Sequence, residues 1–300
     1  MLDVVIIGSG PAGLSAAIYA KRANLDIIVV EKEYMGTGQI AESNQVDNYL
    51  GLVGRSGYDI GEIFLEDVKK LDVEFYEGEA IKYEKLNKYW RVTLDNSEVI
   101  ETKTIIYCAG ATHRRLGICK EKEYGGKGIS YCAVCDGAFY KDKNVIVVGG
   151  GDTALDEALY LSEICKKVYL VHRRKSFRGS AKALEKICCK ENVEIITDAQ
   201  LVSISGEKKV EAATLNTGRV LKVEGIFVAI GMMPETSLLS EIVLLDEKGY
   251  IVADETCKTS REGFYGAGDI RTKHLRQVVT AVADGANAAI SASEYISTLK

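Results

Sequence analysis

The segment Cys132-Ala133-Val134-Cys135-Asp136-Gly137 holds the side chains best suited to chemistry in this sequence. Two cysteines separated by two residues can close a small disulfide ring and reopen it to a dithiol. Asp136 supplies a carboxylate directly after the pair, and with Gly137 it suits a polar, sharply turned segment better than an apolar core. The segment therefore predicts thiol–disulfide chemistry.

A zinc site is the first alternative for this cysteine pair. It would need a second pair of Cys or His ligands, but the sequence has only 3 His, and Cys188 and Cys189 are adjacent in a segment of helical pattern. Two purely structural cysteines are a second alternative. The strands, helices and motifs around the cysteine pair decide between a redox disulfide, a zinc site and two structural cysteines.

Composition narrows the classes of protein. The chain has 300 residues, 47% apolar and 27% charged, which predicts a globular protein of about two domains, and a net charge of -5 gives no basic excess for nucleic acid. No signal-peptide pattern or long apolar span is present, so we expect a cytoplasmic protein with no membrane or nucleic-acid partner. Eight Cys in such a chain fit a reducing compartment, where a disulfide is more often catalytic than structural.

The N-terminal region predicts a dinucleotide-binding unit. The apolar run 3–7 predicts a buried parallel strand, and Gly8-Ser9-Gly10-Pro11-Ala12-Gly13 follows it before a helical pattern that extends to residue 23. Such glycines permit a tight bend and leave the helix N-terminus facing a pyrophosphate. The next strand, 26–30, ends in Glu31, whose carboxylate would accept hydrogen bonds from a ribose; a solvated surface charge is the weaker interpretation.

A second unit of this kind follows the cysteine pair. Residues 144–148 predict a strand, Gly149-Gly150-Gly151-Asp152-Thr153-Ala154 opens a helix, and 167–171 predicts the next strand. That strand is followed by His172-Arg173-Arg174 and then Arg178. Guanidinium groups bind a 2'-phosphate, which a carboxylate would repel, so this unit is predicted to bind NADPH rather than NADH.

Two units with opposite ribose chemistry imply two different nucleotides. The cysteine pair lies just before the second unit, and a flavin would connect nicotinamide and disulfide, because it accepts a hydride and passes the electrons to sulfur. Another basic trio, His113-Arg114-Arg115, follows the predicted strand 104–108 outside this context. We interpret the trio as surface charge or a contact with a partner.

Over nearly its full length the sequence resembles the low-molecular-weight, bacterial-type thioredoxin reductases, which are FAD-dependent pyridine nucleotide-disulfide oxidoreductases. Agreement in many ordered motifs is far more specific than any one of them. A carboxylate after the apolar strand 263–267 is placed to bind a ribityl hydroxyl. The segments that carry the resemblance are Gly8 to Gly13, Gly36-Thr37-Gly38-Gln39, Val46-Asp47-Asn48-Tyr49, Cys132 to Gly137, Gly149 to Tyr160, His172 to Arg178, Val228-Ala229-Ile230-Gly231, Gly266-Ala267-Gly268-Asp269 and Arg276 to Ala281.

The resemblance implies an α/β fold with two Rossmann-like three-layer dinucleotide-binding domains, the second inserted into the first. The FAD-binding domain would comprise residues 1–112 and 242–300, and the NADPH-binding domain residues 113–241 with the cysteine pair. The alternating pattern of 88–102 fits an antiparallel hairpin in the first domain. The resemblance also implies a homodimer. A flavin whose face is covered by its own disulfide cannot also stack on nicotinamide, so we expect the inserted domain to rotate about hinges near 113–120 and 231–241.

The resemblance implies these roles for individual residues. Cys135 would face the flavin, Cys132 would attack thioredoxin, and Asp136 would protonate a leaving thiolate, with a turn-former or helix N-cap as the alternative for Asp136. No metal ligand is implied. The FAD-binding residues would be Gly8, Ser9, Gly10, Pro11, Ala12, Gly13, Glu31, Lys32, Gly38, Gln39, Asn48, Gly110, Gly268, Asp269, Arg276, Gln277 and Val278. The NADPH-binding residues would be Gly149, Gly151, Asp152, Thr153, Ala154, His172, Arg173, Arg174, Arg178, Ile230 and Gly231.

The implied activity is transfer of electrons from NADPH through FAD and the cysteine pair to thioredoxin or a similar small dithiol protein. Two alternatives share the fold: a ferredoxin-dependent flavin reductase, whose members typically lose the second glycine and basic motifs that are present here, and a flavin oxidase of small dithiols. A non-catalytic nucleotide- or zinc-binding module is an alternative of another class. The sequence departs from the family at Leu50, Cys119 and Glu262, where proline is usual.

Overall fold

The computed structural model describes residues 1–32, 38–43 and 45–299, and their contacts divide the chain into two compact units. Unit 1 comprises Met1–Thr112 and Met233–Lys300, and unit 2, His113–Met232, is inserted between these two parts. The sequence placed the return to the first domain at residue 242. The contacts place it at Met233, because Leu239 is fully buried in the core of unit 1 and Thr236 donates a hydrogen bond to Gly249.

The helices and strands alternate along most of the chain. In the described residues no helix combines the length and the apolar character that a membrane span requires. In chain order the elements are β1 (Leu2–Ile7), α1 (Pro11–Arg22), β2 (Ile27–Glu31), α2 (Gly57–Lys69), β3 (Glu74–Glu77), β4 (Ala80–Leu86), β5 (Tyr89–Leu94), β6 (Val99–Tyr107), β7 (Ala111–His113), β8 (Ile129–Ser130), α3 (Ala133–Asp136), β9 (Asn144–Gly149), α4 (Asp152–Ser162), β10 (Lys167–Val171), α5 (Ala181–Cys188), β11 (Val193–Ile196), β12 (Leu201–Ser205), β13 (Ala212–Leu215), β14 (Val220–Lys222), β15 (Gly225–Ala229), β16 (Met232–Pro234), β17 (Phe264–Gly266) and α6 (Val278–Thr298).

Unit 1 is built on a mixed sheet in the order β3-β2-β1-β6-β5-β4, with β17 also paired to β6. Strands β1, β2, β3, β6 and β17 are parallel, and β4 and β5 form an antiparallel hairpin that continues from β6. Strand β1 lies between β2 and β6 in the middle of the sheet. Both faces of such a central parallel strand are covered, which explains why its residues form an apolar run. The alternating segment 88–102 contains β5, the turn 95–98 and the start of β6, which pair antiparallel as a hairpin.

The core of unit 1 lies on both faces of this sheet. Val4 and Ile6 point into a cluster with the helices, whereas Val5 and Ile7 point into a second cluster that includes Trp90. Successive side chains of a strand alternate between faces, so a strand buried on both sides needs apolar residues at every position. Unit 1 therefore has the three layers of a Rossmann-like fold.

Helices α1 and α6 pack against each other at very short range. Ser15 Oγ donates to the carbonyl oxygen of Val282 at 2.7 Å, and a Cβ built on Gly285 would lie 2.0 Å from the carbonyl oxygen of Ala12. Gly285 thus permits an approach of the two backbones that no larger residue allows.

Unit 2 repeats the three-layer plan. Its parallel sheet has the order β11-β10-β9-β15-β8, with α3, α4 and α5 packed on one face and the antiparallel sheet β12-β13-β14 on the other. Val145 and Val147 face the helices, whereas Ile146 and Val148 face the small sheet. The predicted fold class, α/β with two Rossmann-like three-layer units, is confirmed.

Replacing Gly285 with Ala tests the contact between α1 and α6. The added methyl meets backbone, which cannot rotate away, so we expect Gly285→Ala to lower the free energy of unfolding by about 1–3 kcal/mol although alanine is the better helix former. Urea denaturation measures this loss. The control is Ala283→Ser at an exposed position of the same helix, where a change within about 0.5 kcal/mol is expected. Equal stability of both variants would contradict the packing described here.

Candidate active site

The two cysteines of the motif are joined by a disulfide bond at the start of α3. Cys132 is the N-cap of this short helix and Cys135 lies inside it, and their Cα atoms are 5.3 Å apart, within the usual range for a disulfide. The backbone N–H of Cys135 donates to Cys132 Sγ at 3.2 Å. An N–H directed at sulfur stabilises a thiolate there once the bond is reduced.

Asp136 is connected to the disulfide through Ser130. The hydroxyl of Ser130 donates to Asp136 Oδ2 at 2.6 Å and accepts from the backbone N–H of Cys132 at 3.1 Å. Burial raises the pKa of Asp136, and the hydrogen bond from Ser130 opposes that rise. The Asp136 side chain makes no cap to the 3₁₀ turn Gly137–Tyr140 that follows it, so the geometry does not favour the N-cap alternative.

A second carboxylate, Glu157, lies beside the same segment. Its Oε1 accepts from the backbone N–H of Ala133 at 3.3 Å, and its Oε2 is buried with no hydrogen-bond partner in the described part of the chain. Burial raises the pKa of Glu157 to about 7, against the opposing effect of the hydrogen bond from Ala133. Glu157 was not among the residues predicted from the sequence, although its place near Ala154 and Leu161 on the apolar face of α4 was an available signal of burial.

The first glycine turn has the shape that the sequence predicted for it. Gly8 has φ +99°, and a Cβ there would lie 2.6 Å from the carbonyl oxygen of Cys108. Glu31 stands at the end of β2, where its Oε2 accepts from the backbone N–H of Ser9 at 2.7 Å and from its hydroxyl at 2.9 Å. The carboxylate therefore lies at the carboxyl edge of the sheet, beside the turn that opens α1.

Asp269 follows β17 at this same edge. The preceding Gly268 donates its backbone N–H to Asp284 Oδ2 at 3.0 Å, whereas Asp269 Oδ1 is buried and has no hydrogen-bond partner among the residues described. Burial raises the pKa of Asp269 to about 6, although the charges of Lys273 and Arg276 oppose this. An orphaned buried carboxylate oxygen fits a ligand hydroxyl, which would supply the missing donor.

The start of α6 completes this group of residues in unit 1. Gln277 caps the helix that begins at Val278, and Asn48 Nδ2 donates to its Oε1 at 2.9 Å. Arg276 lies over the ring of Tyr250, with its guanidinium carbon 4.0 Å from the ring centroid. The predicted residues from distant parts of the chain therefore meet at one edge of the sheet.

Other predicted residues of unit 1 lie in less specific surroundings. Gly38 stands against the first turn, since a Cβ on it would lie 3.0 Å from the Cα of Gly10. Gln39 is exposed, Gly110 has φ +71° after β6, and Lys32 forms an exposed ion pair with Glu79 at 3.7 Å. Gly36 and Thr37, the first two residues of the motif that continues with Gly38 and Gln39, lie outside the described residues.

The second glycine turn joins β9 to α4 and contacts the basic loop. The backbone N–H of Arg178 donates to the carbonyl oxygen of Gly150 at 2.7 Å, and Asp152 Oδ1 accepts from Ser180 at 2.8 Å. Arg173 and Arg174 are exposed in the same loop. Three guanidinium groups therefore belong to a loop that is tied to the turn by backbone hydrogen bonds.

His172 occupies a different position from these arginines. It is buried, its Nε2 lies 3.1 Å from the carbonyl oxygen of Ser176, and its ring stacks on Phe177. A Cβ on Gly150 would lie 2.2 Å from the His172 ring, so the ring supports the glycine turn from within the unit. Ile230 and Gly231 follow β15 beside this turn, where Ala229 is paired with Gly149.

The structure also shows a buried charge network that the sequence did not reveal. Asp284 accepts from Arg271 Nε, Arg271 Nη2 and Lys273 Nζ, each at 2.8 Å, and all three side chains are almost fully buried. Through its bond to Gly268 the network holds the turn before Asp269. These residues carry no local motif, and only the fold brings them together.

The other cysteines of the chain are free thiols. Cys119, Cys188 and Cys189 are exposed, whereas Cys108, Cys165 and Cys257 are buried. Among the described residues no group of three or more His, Cys, Asp and Glu side chains is arranged to hold a metal ion.

Two Rossmann-like units, two glycine turns and a disulfide flanked by carboxyl groups define a nucleotide-dependent disulfide oxidoreductase. Residues 2–285 match the family Pyridine nucleotide-disulphide oxidoreductase, and the chain belongs to this family. This family membership and the implied oxidoreductase activity confirm the predictions from the sequence. Flavin and pyridine nucleotide are the cofactors that the family implies.

Curated relatives and solved structures agree with this assignment. The chain is 39% identical to the thioredoxin reductase of Listeria monocytogenes, over 99% of this chain and 95% of the relative, and 39% identical to that of Bacillus subtilis, over 99% and 96%. The crystal structure of thioredoxin reductase from Streptococcus pyogenes is similar with a TM-score of 0.94 and 38% identity, covering 99% of each chain. The resemblance to thioredoxin reductases is therefore confirmed.

Replacing Asp269 with Asn tests the free-energy cost of burying the Asp269 carboxylate without a hydrogen-bond partner for Oδ1 among the described residues. Its folded pKa of about 6 lies above the ordinary 3.8, so the folded chain binds the proton more tightly and its stability falls as pH rises from about 4 to 6. In protein stripped of nucleotide we expect Asp269→Asn to remove this pH dependence and to stabilise the fold at pH 7 by up to about 3 kcal/mol. Urea denaturation at several pH values measures both effects. Exposed Asp26→Asn is the control, and an unchanged pH slope in Asp269→Asn would contradict the assignment.

Proposed function

We propose that the protein is a thioredoxin-disulfide reductase, which transfers electrons from NADPH through FAD and the Cys132–Cys135 disulfide to thioredoxin or a similar small dithiol protein. The observation that carries the proposal is the Cys132–Cys135 disulfide in a member of a disulfide oxidoreductase family. The carboxyl groups of Asp136 and Glu157 lie beside the disulfide segment. The relatives named thioredoxin reductase, which match almost the whole chain, support the choice of partner.

Unit 1 is proposed to bind FAD at the edge where its predicted residues meet. Glu31 would bind the ribose, the turn from Gly8 to Gly13 the pyrophosphate, and Asp269 a ribityl hydroxyl. The orphaned Asp269 Oδ1 is the observation that this binding mode explains. When bound, FAD supplies the step that accepts a hydride and delivers two electrons to a disulfide.

Unit 2 is proposed to bind NADPH at the second glycine turn. The turn and the first residues of α4 would face the pyrophosphate, and exposed Arg173, Arg174 and Arg178 would bind the 2'-phosphate. His172 is assigned a supporting place under Gly150, since its ring is buried there.

The residues of the disulfide segment have separate roles in the proposal. Cys135 exchanges electrons with the flavin, and Cys132 attacks the partner disulfide as a thiolate, helped by the N–H of Cys135 that points at its sulfur. Asp136 provides the proton for a leaving thiolate, and burial raises its pKa in the direction that favours the protonated form. Ser130 positions Asp136 relative to Cys132.

Some parts of the proposal concern the whole enzyme. We place it in the cytoplasm, as a homodimer, with unit 2 rotating during the cycle about segments near 113–120 and 231–241. The chain passes between the units only at Thr112–His113 and Met232–Met233 in the division described above, which is compatible with hinges at these segments.

Cys132→Ser tests the activity and the attacking thiol together. We expect the wild-type protein to oxidise NADPH in the presence of thioredoxin, and Cys132→Ser to lose this turnover by at least about a thousandfold while NADPH still bleaches its flavin under anaerobic conditions. A spectrophotometric assay follows both. The exposed Cys119→Ser is the matched control and keeps full turnover. No flavin bleaching in the wild type would defeat the NADPH assignment, and oxygen consumption with small dithiols in place of thioredoxin turnover would favour the oxidase.

The arginine pair tests the choice of nucleotide. Replacing Arg173 and Arg174 with Ala removes charged hydrogen bonds to the 2'-phosphate, so we expect KM for NADPH to rise about tenfold or more and KM for NADH to change little. Steady-state kinetics with both nucleotides measures the ratio. Replacing the exposed pair Lys208 and Lys209 removes the same charge elsewhere on unit 2 and leaves the ratio unchanged. Equal effects on both nucleotides would exclude the 2'-phosphate role.

A further inference from the structure

Glu157 is a buried carboxylate that the proposed mechanism does not use. It projects from the middle of α4, whose first residues form the second glycine turn, and it contacts the disulfide segment through the N–H of Ala133 at 3.3 Å. The nitrogen of Ala133 is bonded to the carbonyl carbon of Cys132, so the carboxylate lies one peptide bond from that cysteine. Its second oxygen, Oε2, is buried and has no hydrogen-bond partner among the described residues.

We propose that Glu157 is a positioning residue that holds down the reactivity of the Cys132 thiol, by placing a negative charge beside it and by occupying the N–H of Ala133. The inference rests on the proposed function, because it takes Cys132 as the thiol that attacks the partner.

Two groups influence the Cys132 thiol in opposite directions, one through a contact with the sulfur and one through a contact with the next peptide N–H. The N–H of Cys135 points at Sγ and favours the thiolate, whereas the carboxylate of Glu157 disfavours a second negative charge nearby. Glu157 also accepts the hydrogen bond of the Ala133 N–H, so this N–H is not available to stabilise a thiolate at the start of α3. The pair of contacts therefore sets the fraction of Cys132 that is ionised.

Within the described residues, the carboxylate of Glu157 has no counter-ion. Burial raises its pKa to about 7, and the opposing effect is the hydrogen bond from Ala133. The ionisable groups on α4 and on the elements packed against it are Asp136 on α3, Tyr140 on the turn that follows, Lys167 and Tyr169 on β10, Lys182, Glu185, Lys186 and Cys188 on α5, and Asp152, Asp156 and Tyr160 on α4 itself. In the described residues none of these groups forms an ion pair with Glu157.

The step that Glu157 controls is the first exchange with the partner. Cys132 gives up its S–H proton to solvent or Asp136, its sulfur forms a bond to one partner sulfur, the partner S–S bond breaks, and the released thiolate takes up a proton. Attack of Cys135 on Cys132 then releases the second partner thiol and restores the disulfide. Two electrons pass from the cysteine pair to the partner, and Glu157 forms no bond in either step.

The thiol pKa of Cys132 tests the inference directly. In the background Cys135→Ser, Cys132 is the sole thiol of the tryptic peptide 128–141, so its alkylation by iodoacetamide can be followed by mass spectrometry between pH 5 and 10. We expect Glu157→Gln to move the midpoint of the pH profile down by about one unit. Where Glu157 is ionised, above its pKa of about 7, and below both midpoints, the thiolate fraction then rises by up to about tenfold. The lower nucleophilicity of the more acidic thiol leaves a rate gain of about threefold, and below pH 7 the gain shrinks as Glu157 is protonated.

Controls separate charge from damage to the fold. Asp156→Asn removes an exposed carboxylate from the neighbouring position of α4 and leaves the midpoint in place. Glu157→Ala lowers the midpoint as Gln does, and circular dichroism and thermal melting show which variants keep the fold. A midpoint that stays or rises in a folded Glu157 variant overturns the inference. The measurement uses neither NADPH nor thioredoxin, so its failure is distinct from a failure of the proposed function.

Discussion

The contact between the disulfide segment and α4 is the constraint on which the chemistry of this protein depends. One helix begins at the second glycine turn and, one and a half turns later, presents Glu157 to Ala133 between the two cysteines. Gly137 makes this packing close, because a Cβ on it would lie 2.9 Å from the Tyr160 ring. A rigid helix thus connects the second glycine turn of unit 2 with the disulfide segment, and a displacement of α4 would move both.

Two kinds of buried carboxyl group lie near the candidate site residues: those with hydrogen-bond partners for their oxygens and those without. Among the residues that the structure describes, Asp269 and Glu157 each have one buried carboxylate oxygen without a hydrogen-bond partner, and burial raises the pKa of both. Burial also acts on Asp284, but hydrogen bonds from Arg271 and Lys273 outweigh it and hold the pKa of Asp284 below its ordinary value. The satisfied carboxylate holds the backbone in place, whereas the unsatisfied ones are available to a ligand or to a neighbouring thiol.

The sequence predicted the elements whose signals are local. Apolar runs located β1 and β9, glycine turns located the starts of α1 and α4, and the spacing of Cys132 and Cys135 indicated the disulfide. Each of these signals needs only a few consecutive residues, because backbone conformation and strand burial determine it.

The remaining features depend on contacts between distant residues. The apolar face of α4 could have marked Glu157 as buried, but its contact with Ala133, which lies 24 positions earlier, depends on the fold and is not encoded in its own segment. His172 belongs to the basic motif by position, yet it is buried against Gly150 and Phe177, which only the folded loop determines. The return to unit 1 at Met233 likewise follows from the burial of Leu239 rather than from a linker signal.

An anaerobic titration with NADPH tests the central claim, that electrons pass through a flavin into the Cys132–Cys135 disulfide. The account predicts that the wild-type protein takes up about two equivalents of NADPH per chain, one for the flavin and one for the disulfide, and that a variant with both cysteines replaced by Ser takes up about one. Uptake of one equivalent by both proteins would contradict the account, because the disulfide would then lie outside the path of the electrons.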